Sequence, residues 1–176
     1  MGPNKFLFFE YIVKKLLEWH FSCTGRARDL SSFTKLKLQK LLFFVAAINS
    51  TNENHSLLDI FNRFYALQYG PVELDIYEKM GQNSFVNIQF NGRNLININT
   101  DNIIIEDPIK TSIDTAIDSL KDKNFKLISA PAFVLVDISH KWPVWQEAMY
   151  VADVLGVSKM KISTEEICSS DKFYTD

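Results

Sequence analysis

Two short constellations in this sequence carry side chains able to do chemistry. His20 and Cys23 stand three residues apart, a spacing at which an imidazole and a thiolate can share one metal ion. A structural zinc site takes four ligands, commonly as two close pairs, and His55, His140 and Cys168 each stand alone. No metal and no other cofactor is therefore expected. Ser139 and His140 form the second constellation, a hydroxyl beside a base. Nucleophilic catalysis also needs an orienting group, and adjacency along the chain does not set the base against the hydroxyl. The competing reading makes His140 structural, capping a helix end or satisfying a buried polar group beside Trp142 and Trp145. None of the patterns GxSxG, GxxxxGK[ST] or GxGxxG occurs.

The aromatic residues Phe61, Phe64, Tyr65 and Tyr69 could stack bases, but base stacking on a nucleic acid also wants a basic groove. The formal net charge is −2, and Lys35, Lys37 and Lys40 lie on a strongly apolar helix, pointing in more than one direction. Nucleic acid is not the expected partner. Two distant cysteines do not make a secreted disulfide framework. The N-terminal apolar run is broken by Glu10, Lys14 and Lys15, unlike a signal peptide. The longest wholly apolar run, Leu41 to Ile48, has eight residues, and spanning a bilayer takes roughly 20. The expectation is a cytoplasmic chain without membrane contact.

The elements that must position these residues are mostly helices. With 176 residues, 47% of them hydrophobic, the chain can bury one core. We expect a mainly α (α+β) fold, one domain over residues 1–176, with a small antiparallel β-hairpin or three-stranded insertion at about 85–105. Phe6, Phe9, Val13, Leu16 and Leu17 share one face of a helix over 5–21, opposite a charged strip of Glu10, Lys14 and Glu18. Thr34 is the expected N-cap of a second helix, whose Leu38, Leu41, Leu42 and Val45 recur at helical spacing. Phe43, Phe44 and Ala47 widen its apolar surface almost all round, which marks a central helix.

The run from Leu57 to Tyr69 fits either a helix or a strand. Gly70-Pro71 then punctuates the chain, and a short helix is expected from Val72 to Met80, ended by Gly81. From Phe85 to Ile105 the period turns alternating around Asn91-Gly92, a hairpin signal. An odd-length loop with a bulge would put Val86, Ile88, Ile96 and Ile98 on one face, and Ile103 to Ile105 could add a third strand. Helices resume with a cap at Thr111 or Ser112, after Pro131, from Val144 to Leu155, and after Ser163.

Three segments combine into a more specific pattern. The first is Thr34-Lys35-Leu36-Lys37-Leu38-Gln39-Lys40-Leu41-Leu42-Phe43-Phe44; the second is Tyr69-Gly70-Pro71-Val72-Glu73 followed by Ile76-Tyr77. The third is Ile138-Ser139-His140, then Trp145 and Ala148. In this order and spacing the chain resembles the Panacea domain, the SocA-like family of antitoxins and phage-associated proteins, over roughly residues 5 to 150. The resemblance implies a mostly helical domain with a small β element that neutralises a cognate toxin by direct contact, in some members as an adaptor to a protease. The family is paired with toxins of many unrelated kinds. The chain departs from it at Ala66-Leu67-Gln68, where a Trp-containing stretch is common, and in its longer hairpin.

Tyr69, Gly70, Pro71, Val72, Glu73 and Tyr77 are the expected partner contacts. Ile88, Phe90 and Ile96 of the hairpin join them, because a hairpin can offer a free edge. Leu38, Gln39, Lys40, Leu41, Leu42, Ser139, His140 and Trp145 are expected to serve the fold. Two alternatives stand beside the antitoxin reading: a phage or prophage accessory protein binding another host or phage protein, and an enzyme using His140.

Overall fold

Thr34 lies in extended conformation, and its hydroxyl accepts the Lys37 N–H at 3.1 Å, so helix α2 (Lys35–Ala47) begins where its sequence says it should. Every α2 residue from Lys37 to Ala47 is buried, including both lysines. The computed structural model describes residues 4–26 and 29–176; Met1 to Pro3, part of the N-terminus weighed above as a leader, lie outside them. Around α2 pack a long first helix, a three-stranded sheet and two later helices. The architecture is mainly helical with two small antiparallel sheets.

Helix α1 (Lys5–Thr24) buries Phe9, Val13 and Leu16, as their spacing predicts, and ends at Gly25 in left-handed conformation. The expected charged strip is interrupted. Glu10 is buried, and its carboxylate accepts the backbone N–H and the side-chain amide of Asn87, each at 2.7 Å. A buried carboxylate needs such donors, and here they come from a loop distant in sequence.

The ambiguous run after Leu57 becomes a short 3-10 turn, Ser56–Asp59, and then strand β1 (Phe64–Leu67). The helix expected from Val72 is instead strand β2 (Gly70–Glu73), antiparallel to β1 with Tyr65 opposite Val72. Helix α3 (Leu74–Gln82) follows, capped by the Glu73 carboxylate, which accepts the Ile76 N–H at 3.0 Å. It runs through Gly81 and stops at Asn83, a residue type that tolerates the left-handed φ of 49° found there.

The hairpin pairs β3 (Ile88–Asn91) with β4 (Asn94–Ile98) around Gly92-Arg93. It does contain a bulge, but its inward face differs from the expected one. Gln89 pairs with Asn97 and Phe90 with Leu95, so Ile96 bulges out and is exposed. Val86 is exposed as well, and Ile88, Phe90 and Leu95 form the buried side. Residues 103–105 form no strand; Ile103 and Ile105 are buried without pairing.

Helix α4 (Ile109–Lys123) starts before the expected cap, and Asp107 accepts the Thr111 N–H and hydroxyl. Helices α5 (Ala132–His140) and α6 (Pro143–Leu155) lead to β5 (Met160–Lys161), which gives the sheet order β2-β1-β5. Helix α7 (Thr164–Ser169) begins with a reciprocal Ser163–Glu166 capping box. No described helix is long and apolar enough to cross a membrane.

Trp142 seals the core between Phe43, at 4.6 Å between ring centroids, and Tyr174, at 5.7 Å. Its indole N–H donates to the Phe173 carbonyl at 2.9 Å, tying the last residues down. Replacing this fully buried side chain, Trp142→Ala, should lower stability by about 3–5 kcal/mol, read as a fall in the urea midpoint.

Candidate functional site

The three segments singled out in the sequence meet at one place, the outer edge of β2. A strand edge leaves backbone donors and acceptors open, and burial makes each unpaired group costly. On β2 the partners are side chains of α2. Gln39 mimics a neighbouring strand: its carbonyl oxygen accepts the Glu73 N–H at 3.0 Å and its amide donates to the Glu73 carbonyl at 3.3 Å. At the next residue, the Lys40 ammonium donates to the Pro71 carbonyl at 2.6 Å. Proline suits this edge because it has no N–H to satisfy.

The third segment closes the other end. Gly70 has a φ of 101°, and a Cβ there would fall onto the Ser139 hydroxyl and within 2.9 Å of the Lys40 nitrogen. Ser139 is fully buried and donates to the Val136 carbonyl at 2.7 Å, so its hydroxyl is committed within α5. The Trp145 indole N–H donates to the Leu67 carbonyl at 2.9 Å, and the His140 ring stacks on Trp145 at 3.8 Å between centroids. The His140 Nε2 is buried with no hydrogen-bond partner, and burial is the largest cause lowering its pKa.

Charge is handled in two ways. Lys5 at the start of α1 reaches both Glu73 and Asp75, the latter at 2.7 Å, and Arg63 pairs with Asp75 from outside. Burial pushes the Asp75 carboxyl up, but the hydrogen bonds from Lys5 and Arg63 outweigh it and hold it below its ordinary value. Lys40 has no such partner. It is fully buried, and desolvation lowers its pKa to about 7.

Beside this buried cluster lies an open apolar groove of about 450 Å³. Leu36, Val72 and Met80 line it with apolar side chains, together with the rings of Tyr77 and Phe133, and Lys35 and Arg93 also stand in its lining. Tyr77 is 54% exposed and Phe133 is 73% exposed, large values for apolar rings in a folded chain. The first two sequence segments, the hairpin turn and the first turn of α5 all contribute to it.

Residues 38–146, more than half the chain, match the family described as Antitoxin SocA-like, Panacea domain. The chain belongs to that family. No curated protein and no solved structure matches it. The matched span contains Gln39, Lys40, Gly70, Pro71, Ser139, His140 and Trp145, so the β2 clamp is built wholly from the family's region.

The expected contact residues divide by burial. Tyr69, Tyr77 and Ile96 are exposed, whereas Gly70, Pro71, Val72, Glu73, Ile88 and Phe90 are buried, Val72 in the groove lining. Nor does the hairpin present a free edge at its centre. The Asn83 side chain donates to the Phe90 carbonyl at 3.1 Å and accepts its N–H at 2.9 Å. On the other side, Leu95 N–H donates to the Phe33 carbonyl and Lys35 N–H to the Arg93 carbonyl. Leu36, Gly81, Arg93 and Phe133 were not among the expected contacts; Leu36 was quoted only as part of the first segment and Gly81 only as a helix end. Phe133 sits in a run apolar on every side, so periodicity could not tell its exposed ring from its buried neighbours. His20, read beside Cys23 as half a metal site, is buried edge-on against Phe33. Among the described residues no group of three or more His, Cys, Asp or Glu could hold a metal ion.

Gly70→Ala should destabilise by about 2–4 kcal/mol, from left-handed strain plus overpacking against Ser139, measured by denaturant titration. Lys40 gives a pH signature. Its folded pKa of about 7 lies below the ordinary 10.5, so between those values the unfolded chain binds more protons and stability rises with pH. Lys37, lowered to about 8, adds the same sign over the upper part. The urea-derived stability should climb by roughly 1 kcal/mol per pH unit above pH 7, and Lys40→Met should flatten most of the rise between 7 and 8. Above pH 10 the buried Tyr174 hydroxyl, whose pKa is raised, opposes it.

Proposed function

We propose that this chain is a cytoplasmic antitoxin, working as one domain over residues 1–176, that neutralises a cognate toxin protein by direct contact rather than by catalysis. Family membership supports the antitoxin class. The observation that carries direct contact is the open groove, where the exposed rings of Tyr77 and Phe133 stand beside the apolar side chains of Leu36, Val72 and Met80. Buried aromatic anchors dominate protein interfaces, and exposed ones beside a groove are suited to that use. Tyr69 and Ile96, exposed elsewhere on the surface, remain candidate contacts. The Ser139 hydroxyl, buried and committed to Val136, gives His140 no nucleophile to activate.

The test is rescue. The neighbouring reading frame, expressed alone, should arrest growth; expressed with this chain, growth should return and the two proteins should co-purify. A harmless neighbour, or toxicity that this chain does not relieve, removes the antitoxin reading. Tyr77→Ala combined with Phe133→Ala should abolish rescue while changing stability by less than about 1 kcal/mol, because both rings are largely solvent-exposed.

A further inference from the structure

We propose that the groove docks a segment of the partner protein in which a large apolar side chain is flanked by carboxylates. This deepens the antitoxin reading, which makes that partner the toxin. The apolar half of the argument is volume: about 450 Å³ over Leu36, Val72 and Met80 holds two or three large side chains. The acidic half is electrostatic, and four sources of positive potential converge on the groove. Lys35 and Arg93 both stand in its lining, and no carboxylate does. The N-terminal turns of α2 and α5 also open onto it, through Lys35 and Leu36 in one and Ala132 and Phe133 in the other. Helix N-termini carry partial positive charge, and acidic residues in the first turn usually offset it. Neither helix has an acidic residue there, and α2 instead places Lys35 and Lys37 in that turn, against the helix dipole. A cationic lining with no carboxylate of its own, set around apolar side chains, selects an apolar segment bearing Asp or Glu and rejects a basic one.

The geometry supplies variants that test this without endangering the fold. An added Cβ at Gly81 meets nothing within 4 Å, so Gly81→Leu projects bulk into the groove while improving helix propensity in α3. Lys35→Glu places a carboxylate where the α2 dipole favours one. Arg93→Glu changes an exposed side chain at the hairpin turn. All three should melt at or above the wild-type temperature.

A random peptide library displayed on phage and selected against the full chain reads the groove directly. Enriched peptides should pair Leu, Phe or Trp with neighbouring Asp or Glu, weaken as salt is raised, and bind Gly81→Leu and the Lys35→Glu/Arg93→Glu double variant roughly tenfold less tightly. No enrichment, enrichment of basic peptides, or binding unchanged in both variants overturns the proposal. The rescue assay with the same variants separates the two readings. A toxin neutralised equally by wild type and variants leaves the antitoxin function standing and overturns the groove as its site. Peptide selection as expected, with no toxin rescued by the wild type, sustains the groove and removes the antitoxin reading.

Discussion

Strand β2 lies under a helix, and a helix cannot complete a hydrogen-bond ladder, so two side chains of α2 take the place of the missing strand. Gln39 supplies a donor and an acceptor to one residue, Glu73, with the reciprocity of an antiparallel pair. Lys40 supplies a donor to Pro71, which asks for none in return. Much else follows from holding that edge. Gly70 must lack a side chain because Ser139 and Lys40 crowd against it. Glu73, fixed by its backbone, is free to cap α3 with one carboxylate oxygen and to receive Lys5 with the other. Trp145 then holds the turn between β1 and β2 through the Leu67 carbonyl.

The two deeply buried lysines of this region represent opposite answers to desolvation. Lys5 keeps its charge company with two carboxylates, a pairing whose members depend on one another. Lys40 meets only a carbonyl, so its proton is the variable, and the clamp carries a titratable joint near neutral pH.

How much of this could be read from the residues depends on the range of the interaction. Local chemistry was legible: the Thr34 cap, the all-round apolar α2, the hairpin centred near Asn91-Gly92 and the Ser163 start of α7 all rest on neighbours a few positions apart. The same local logic misled at Gly70-Pro71. Proline suits a first helical turn as well as an edge strand, and only the distant Gln39 decides between them. Glu10 was placed on a charged strip because its partner, Asn87, is far away along the chain. The bulge was anticipated but not its position, since Ile96 and Leu95 are equally apolar and only the Phe33–Lys35 segment lying along β4 fixes which turns inward. Of the groove, Val72 and Tyr77 were marked in advance; its cationic lining was not, because Lys35 and Arg93 are remote in sequence and meet only through a backbone contact.

The clamp and the groove share α2 but divide its residues between them. Lys40 faces inward to β2, Lys35 and Leu36 look outward, and among the clamp's side chains only Gln39 touches both. Phe133, Arg93, Tyr77 and Gly81 can therefore change with little consequence for the hydrogen bonds that hold the sheet. If the groove is the docking site proposed above, such a division lets point substitutions change what it accepts while the hydrogen bonds of the scaffold stay in place. It is the kind of architecture from which one fold can be retargeted repeatedly.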